Sequence, residues 1–147
     1  MTNELENRIV VGVDGSDPST AALRWALGQA ELTGASVHAV TAWEFPAFYS
    51  WEGGTMPPQE FEDAAHKTLH DTVDSVLAET GSGVAVHREV VHGHSAHVLL
   101  EAAKDASLLV VGSRGHGKFV GVLLGSVSQK CAHHSRCPVV IVRGSLE

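Results

Sequence analysis

The sequence predicts a doubly wound α/β domain: a parallel five-stranded sheet covered by helices on both faces. Three observations lead there. Short β-branched runs alternate strictly with segments of helical periodicity, which calls for parallel strands and crossover connections. Several of the runs are unbroken and apolar, as strands buried on both faces are. Loops rich in glycine, serine and aspartate follow two of the runs, where ligands of such sheets gather.

The first run, Ile9-Val10-Val11-Gly12-Val13, stops at Asp14-Gly15-Ser16 and reads as a buried strand ending in a loop. Asp17-Pro18 opens a helix, with Leu23, Ala26, Leu27 and Ala30 at helical spacing and Gly34 placed to end it. Val37 to Trp43 is the second strand. Residues 44–58 hold Phe45, Phe48, Tyr49 and Trp51 among prolines and glycines. They read as a surface loop packed on its own aromatics, with a lid as the alternative. Gln59 to Glu79 forms the second helix, with Ala65, Leu69, Val73 and Val76 on one face, and Gly81-Ser82-Gly83 ends it. Val84 to Val91 is the third strand, and His87, Arg88 and Glu89 suit an edge position. Ser95 is expected to cap a third helix carrying Ala96, Leu99, Leu100 and Ala103 inward. Leu108 to Val111 is the fourth strand. Ser126 starts a fourth helix, and Pro138 to Val142 is the last strand.

Composition narrows the function. The chain has 147 residues, the size of one domain, and residues 1–147 are expected to form a single one. A formal net charge of −7 disfavours nucleic acid and anionic membrane as partners, so an anionic ligand needs a local arrangement that overrides the global repulsion. Apolar runs are too short for a transmembrane helix, and residues 1–8 are polar and acidic, unlike a signal peptide. Two cysteines do not make a disulfide framework, and a reducing, cytoplasmic setting is expected.

Residues 112–126, GSRGHGKFVGVLLGS, carry the chemistry. Glycines allow close backbone approach to a ligand, successive N–H groups can form an anion-binding concavity, and the helix opened by Ser126 adds a positive dipole end. Arg114, His116 and Lys118 add local positive charge. The stretch is not a P-loop, because Phe119 stands where the magnesium-holding hydroxyl belongs, and Gly115-x-Gly117 is half of a dinucleotide fingerprint.

Gly112-x-x-Gly115, nine residues, then Gly125-Ser126, together with Asp14 after the first strand, strongly resembles the universal stress protein family. The IVVGVDGS opening, LLVVGSRG, LLGSVSQ and CPVVIV extend the likeness over nearly the whole chain. The resemblance implies strand order 3-2-1-4-5, an adenine-nucleotide alpha-hydrolase-like fold, and the ATP-binding subgroup that keeps this glycine–serine pattern. It implies ATP, with or without Mg²⁺, held by Gly12, Val13, Asp14, Ala42, Val111, Gly112, Arg114, Gly115, His116, Gly125, Ser126, Val127 and Ser128. Asp14 would lie at the adenosine end, the backbone near Ala42 at the adenine edge, and Gly112, Gly115, Gly125 and Ser126 along ribose and phosphates. The chain departs from many relatives at His94-Ser95, where a proline is expected; that departure is expected to lie away from the nucleotide.

Simpler readings stand beside these. Asp14 also suits a turn hydrogen-bonded to Ser16 or Gly15. Ser126 and Gln129 form S-x-x-Q, a capping box. Arg114 and Lys118 also suit solvated loop charges. The histidine-rich stretches do not show zinc spacing, Cys131 fits the inner face of the fourth helix, and Cys137 is expected to be buried. With Asp14 assigned to the nucleoside end, no acid within 112–128 is left for catalysis, so a binding protein is expected, with at most slow ATP hydrolysis. The apolar last strand, Val139-Val140-Ile141-Val142, would form an edge that pairs with a second copy, or one shielded by the N-terminal tail or by Arg143-Gly144-Ser145; homodimers are also implied by the resemblance. The expected role is a stress-response sensor or adaptor. A nucleotide-independent interaction protein is the alternative.

Overall fold

The computed structural model describes residues 6–44, 57–114 and 124–144. Most of the aromatic loop, together with Gly115, His116, Gly117, Lys118 and Gly121, therefore lies outside the described residues. The elements run β1 (Glu6–Gly12), α1 (Asp17–Thr33), β2 (Ser36–Trp43), α2 (Pro58–Thr80), β3 (Val86–His92), α3 (Ser95–Ala102), β4 (Ala106–Gly112), α4 (Ser126–His134) and β5 (Val139–Val142).

All strand pairs are parallel, and their order is β3-β2-β1-β4-β5, as expected. The pleat sends alternate residues to opposite layers. Ile9, Val11, Val37, Ala39 and Val110 pack with Leu23, Leu27, Leu69 and Val73 of α1 and α2. Val10, Val40, Leu109 and Val111 pack with Val98 and Leu99 of α3 and Cys131 of α4. Leu23, Leu27 and Leu69 are almost fully buried, and each contributes about 1.5–3 kcal/mol of hydrophobic stabilisation. Polar residues at β3's exposed positions, His87, Glu89 and His92, agree with its place at one edge of the sheet. β5 forms the other edge, and its four residues are only half-buried.

Two helix N-caps differ from the sequence reading. The N-cap of α3 is His94, in an extended conformation, and Ser95 is the first helical residue. The N-cap of α4 is Gly125, so Ser126 is again one position inside. The capping box is not formed: Gln129 Nε2 donates to the Leu124 carbonyl at 3.0 Å. A serine attracts the cap assignment in sequence because its side chain can accept from the backbone. Here the chain enters the helical geometry one residue earlier and leaves that hydroxyl for other use.

Candidate functional site

The site is built where β1 and β4 diverge. After Gly12, the chain takes one more ladder bond, Val13 N–H to the Val40 carbonyl at 2.9 Å, and the Thr41 hydroxyl holds the Val13 carbonyl at 2.8 Å. It then turns at Asp14. Oδ1 of Asp14 accepts from the Ser16 N–H at 2.9 Å and from the Ser16 hydroxyl. Gly15 makes this turn with φ of 84°, a conformation that disfavours a side chain. Ser16 caps α1 by accepting from Ser19 N–H, and the Ser19 hydroxyl accepts from Asp14 N–H at 3.1 Å. The turn reading of Asp14 is thus realised, while its exposed side chain also faces the space beyond the strand ends.

β2 runs on past this turn, and that overrun has a consequence. In a parallel sheet, alternate residues of a strand direct both N–H and C=O to the same neighbour. Val37 donates toward β3 through the Ala85 carbonyl, and the Trp43 carbonyl accepts from Gly93 on that same side. Val40 accepts from Val13 on the β1 side. Ala42 therefore turns its N–H and C=O toward β1, past the last ladder bond. Among the described residues neither group has a partner. One donor and one acceptor stand open side by side.

On the other side of β1, the Ser113 carbonyl ties down the start of α4. It accepts from Gly125 N–H at 2.6 Å and from the Ser128 hydroxyl at 3.0 Å. That hydroxyl also lies 3.0 Å from the Gly125 carbonyl. Ser128 is buried, so its side chain positions the helix start. Gly125 brings no side-chain cap, and the N–H groups of the first turn, at Ser126, Val127 and Ser128, are left at a positive dipole end.

Between these two arrangements lies a cavity of about 720 Å³ over the carboxyl ends of β1, β2 and β4. The wall includes Gly12, Val13 and Asp14 from β1 and its turn, Ala42 from β2, Val111, Gly112 and Arg114 from β4 and its exit, and Gly125 through Ser128 from α4. These are all the sequence-selected site residues except Gly115 and His116, which lie outside the described residues. The structure adds Ser19, Val40, Ser95, Leu99, Leu124 and Gln129. Val40 was accessible to sequence reasoning, because it shares a face of β2 with Ala42. Ser95 and Leu99 were not, since their place depends on how α3 crosses β1 and β2. Of the departure at His94-Ser95, Ser95 falls in the cavity wall.

Gly112 also has a different reason from the one its motif suggests. A Cβ there would lie 2.7 Å from the Pro18 carbonyl carbon and 2.8 Å from Ser19 N. The residue lets β4 and the start of α1 touch. Gly12 packs beneath Leu99, with a built Cβ 2.8 Å from its Cδ1. Both glycines shape the site by close packing.

The cysteines stand apart from it. Cys131 is fully buried, and burial pushes its thiol up to about 11. Cys137 is half-buried, not buried as expected, because it precedes β5 at the sheet edge, where Ser135 Oγ accepts from its N–H at 3.2 Å. Among the described residues no group of three metal-ligating side chains converges, and no helix is long and apolar enough to cross a membrane.

A parallel sheet of this order, with helices on both faces and a cavity over its carboxyl ends, defines the doubly wound α/β class. Within that class, residues 6–143 match the universal stress protein family, and the chain belongs to it. It is 37% identical over 148 residues to a universal stress protein of Mycolicibacterium smegmatis, covering 95% of this chain and 49% of the relative. A universal stress protein of Mycobacterium tuberculosis is 37% identical over 142 residues, covering 91% of this chain and 46% of the relative. The chain thus spans about half the length of the curated relatives it matches. Among solved structures, universal stress protein UspA from Lactobacillus plantarum superposes with a TM-score of 0.76 at 23% identity, covering 96% of this chain and 100% of that one. A universal stress protein in complex with cAMP superposes with a TM-score of 0.69 at 29% identity, covering 96% and 99%.

Proposed function

We propose that this chain binds an adenine nucleotide, ATP with or without Mg²⁺, and works as a homodimeric sensor or adaptor in a stress response within the cytoplasm. One observation carries the reading: the cavity offers an open peptide edge at Ala42 on one side and uncapped helix N–H groups at Ser126 to Ser128 on the other. An adenine presents an acceptor, N1, beside a donor, the 6-amino group, which is the complement of the Ala42 peptide groups. A phosphate chain suits the N-terminus of α4. Val40, Ala42, Leu99 and Val111 supply apolar surface for the base between them. The volume lies in the range of small-molecule and cofactor sites, about 300–1,000 Å³. The cAMP bound by the relative at 29% identity supports the same class of ligand.

In this reading, Asp14 holds the adenosine end, Gly125 to Ser128 hold phosphates through backbone N–H groups, and Arg114 reaches the phosphate chain. Gly115 and His116 are assigned to the same ligand on the strength of the motif. Binding is favoured over turnover because Asp14, the acid of the described wall, is engaged with Ser16 and assigned to the adenosine. The half-buried β5, with Val139, Val140, Ile141 and Val142, supports pairing of two copies along this edge.

Calorimetric titration of nucleotide-free protein with ATP and Mg²⁺ tests the reading. Saturable binding of one nucleotide per chain is expected. Absence of heat and of any thermal shift at millimolar ATP would overturn it in favour of a nucleotide-independent interaction protein.

A further inference from the structure

We propose that Ser95 is a specificity-determining residue whose hydroxyl hydrogen-bonds a ring nitrogen of the bound purine. The proposal rests on the adenine-nucleotide reading and adds to it a side chain that reads the base.

Ser95 enters the cavity wall from α3, an element that the glycine–serine motif does not touch. Its position is fixed at the β2 end. Gly93, two residues earlier, donates to the Trp43 carbonyl at 2.8 Å, next to Ala42 in β2. Leu99, one turn later, lies over Gly12. α4 is instead tied to the exit of β4 through Ser113. With β1 between β2 and β4, the α3 start and the α4 start flank opposite sides of the cavity. Ser95 thus belongs with Ala42, at the base end.

The hydroxyl is also uncommitted. Ser95 is the first helical residue and not the cap, and among the described residues its hydroxyl has no hydrogen-bond partner. Ser19 and Ser128, the other serines of the wall besides Ser126, spend their hydroxyls on protein groups. The neighbours of Ser95 on this side, Val40, Ala42 and Leu99, offer apolar side chains. A purine whose Watson–Crick edge engages the Ala42 peptide still presents N3 and N7 as acceptors, and a serine hydroxyl can donate to either.

The test compares the unmodified chain and Ser95→Ala by calorimetry with ATP, AMP, adenosine, 7-deaza-ATP and 3-deaza-ATP. Alanine suits the first turn of a helix and removes no cap, so the variant keeps its fold, which circular dichroism and thermal melting verify. Ser95→Ala is expected to weaken ATP, AMP and adenosine equally, by about three- to tenfold, the worth of one neutral hydrogen bond. That penalty should vanish for the one deaza analogue that lacks the partner nitrogen. Equal affinity of both proteins for ATP would overturn the role of Ser95 and leave nucleotide binding standing. A penalty that grows with phosphate number, or survives in both deaza analogues, would also overturn it. Failure of the unmodified chain to bind any of these ligands would remove both proposals.

Discussion

Gly112→Ala separates a glycine that serves packing from one that serves ligand approach. The added Cβ would sit 2.7 Å from the Pro18 carbonyl carbon, 2.8 Å from Pro18 Cβ and 2.8 Å from Ser19 N. Two of these three atoms are backbone in the first turn of α1, a turn held by the Ser16 cap and by Thr20 N–H donating to the Ser16 carbonyl at 2.9 Å. No flexible side chain can yield, so β4 and α1 must separate. Gly112 is also the last residue of β4 in register with Val142 of β5, so the shift reaches the sheet edge. Overpacking of a well-filled site costs about 1–3 kcal/mol, and a backbone clash falls at the upper end. For a chain of this size each kcal/mol lowers Tm by about 2–4 °C, which gives a fall of about 5–10 °C. Urea unfolding and calorimetry measure it on ligand-free protein. Gly125→Ala is the control: its φ of −76° and ψ of 172° admit a side chain, and the N-cap exchange costs only about 0.5–1 kcal/mol. If Gly112→Ala melts with the unmodified chain, the packing argument for this glycine is wrong.

Other expectations follow from the same contacts. Ser128→Ala removes the hydroxyl that links Ser113 to α4, and should cost about 1–2 kcal/mol in urea unfolding; it should also weaken ATP, and unchanged ATP affinity would show that the helix start does not need this link. Ser16→Ala deletes the cap of α1 and a partner of Asp14, and should lower stability by about 1–2 kcal/mol in the same assay. The Cys131 thiol is raised from an ordinary 9.0 to about 11 by burial, so the folded state favours the neutral thiol. Its contribution to stability is present below pH 9 and lost as pH rises toward 11; alkylation at pH 8 should label Cys137 first, and equal rates at both cysteines would contradict the burial. Ile141→Lys should return the mass of one chain in light scattering, whereas an unchanged dimer would place the interface elsewhere.

The strands were legible because runs such as Ile9–Val13, Leu108–Val111 and Val139–Val142 are apolar, and the charged third run pointed to an edge; their order came from the resemblance that the motifs carry. Most of the cavity wall was legible for a related reason: a doubly wound sheet collects its loops at one end, and Asp14 and Gly125-Ser126 stand in two of them. The helices begin at Ser95 and Ser126, but their N-caps were read one residue late. A serine is the strongest capping signal in sequence, but His94 and Gly125 take the extended conformation instead. The open peptide edge at Ala42 depends on how far β2 outruns β1, a matter of three-dimensional register that no local pattern records. The part of Ser95 in the wall depends likewise on where α3 lies across the sheet. Gly112 looked like a ligand glycine because it begins the motif, and only the distance to Pro18 reveals its packing role.

The central claim is that the Ala42 edge and the α4 start hold the two ends of one nucleotide. Competition calorimetry of ATP against GTP on the nucleotide-free chain tests it most directly, because guanine presents a donor at N1 and an acceptor at O6, the reverse of adenine. The account predicts saturable ATP binding that GTP at equal concentration does not displace. Equal displacement by GTP, or no ATP binding, would contradict it.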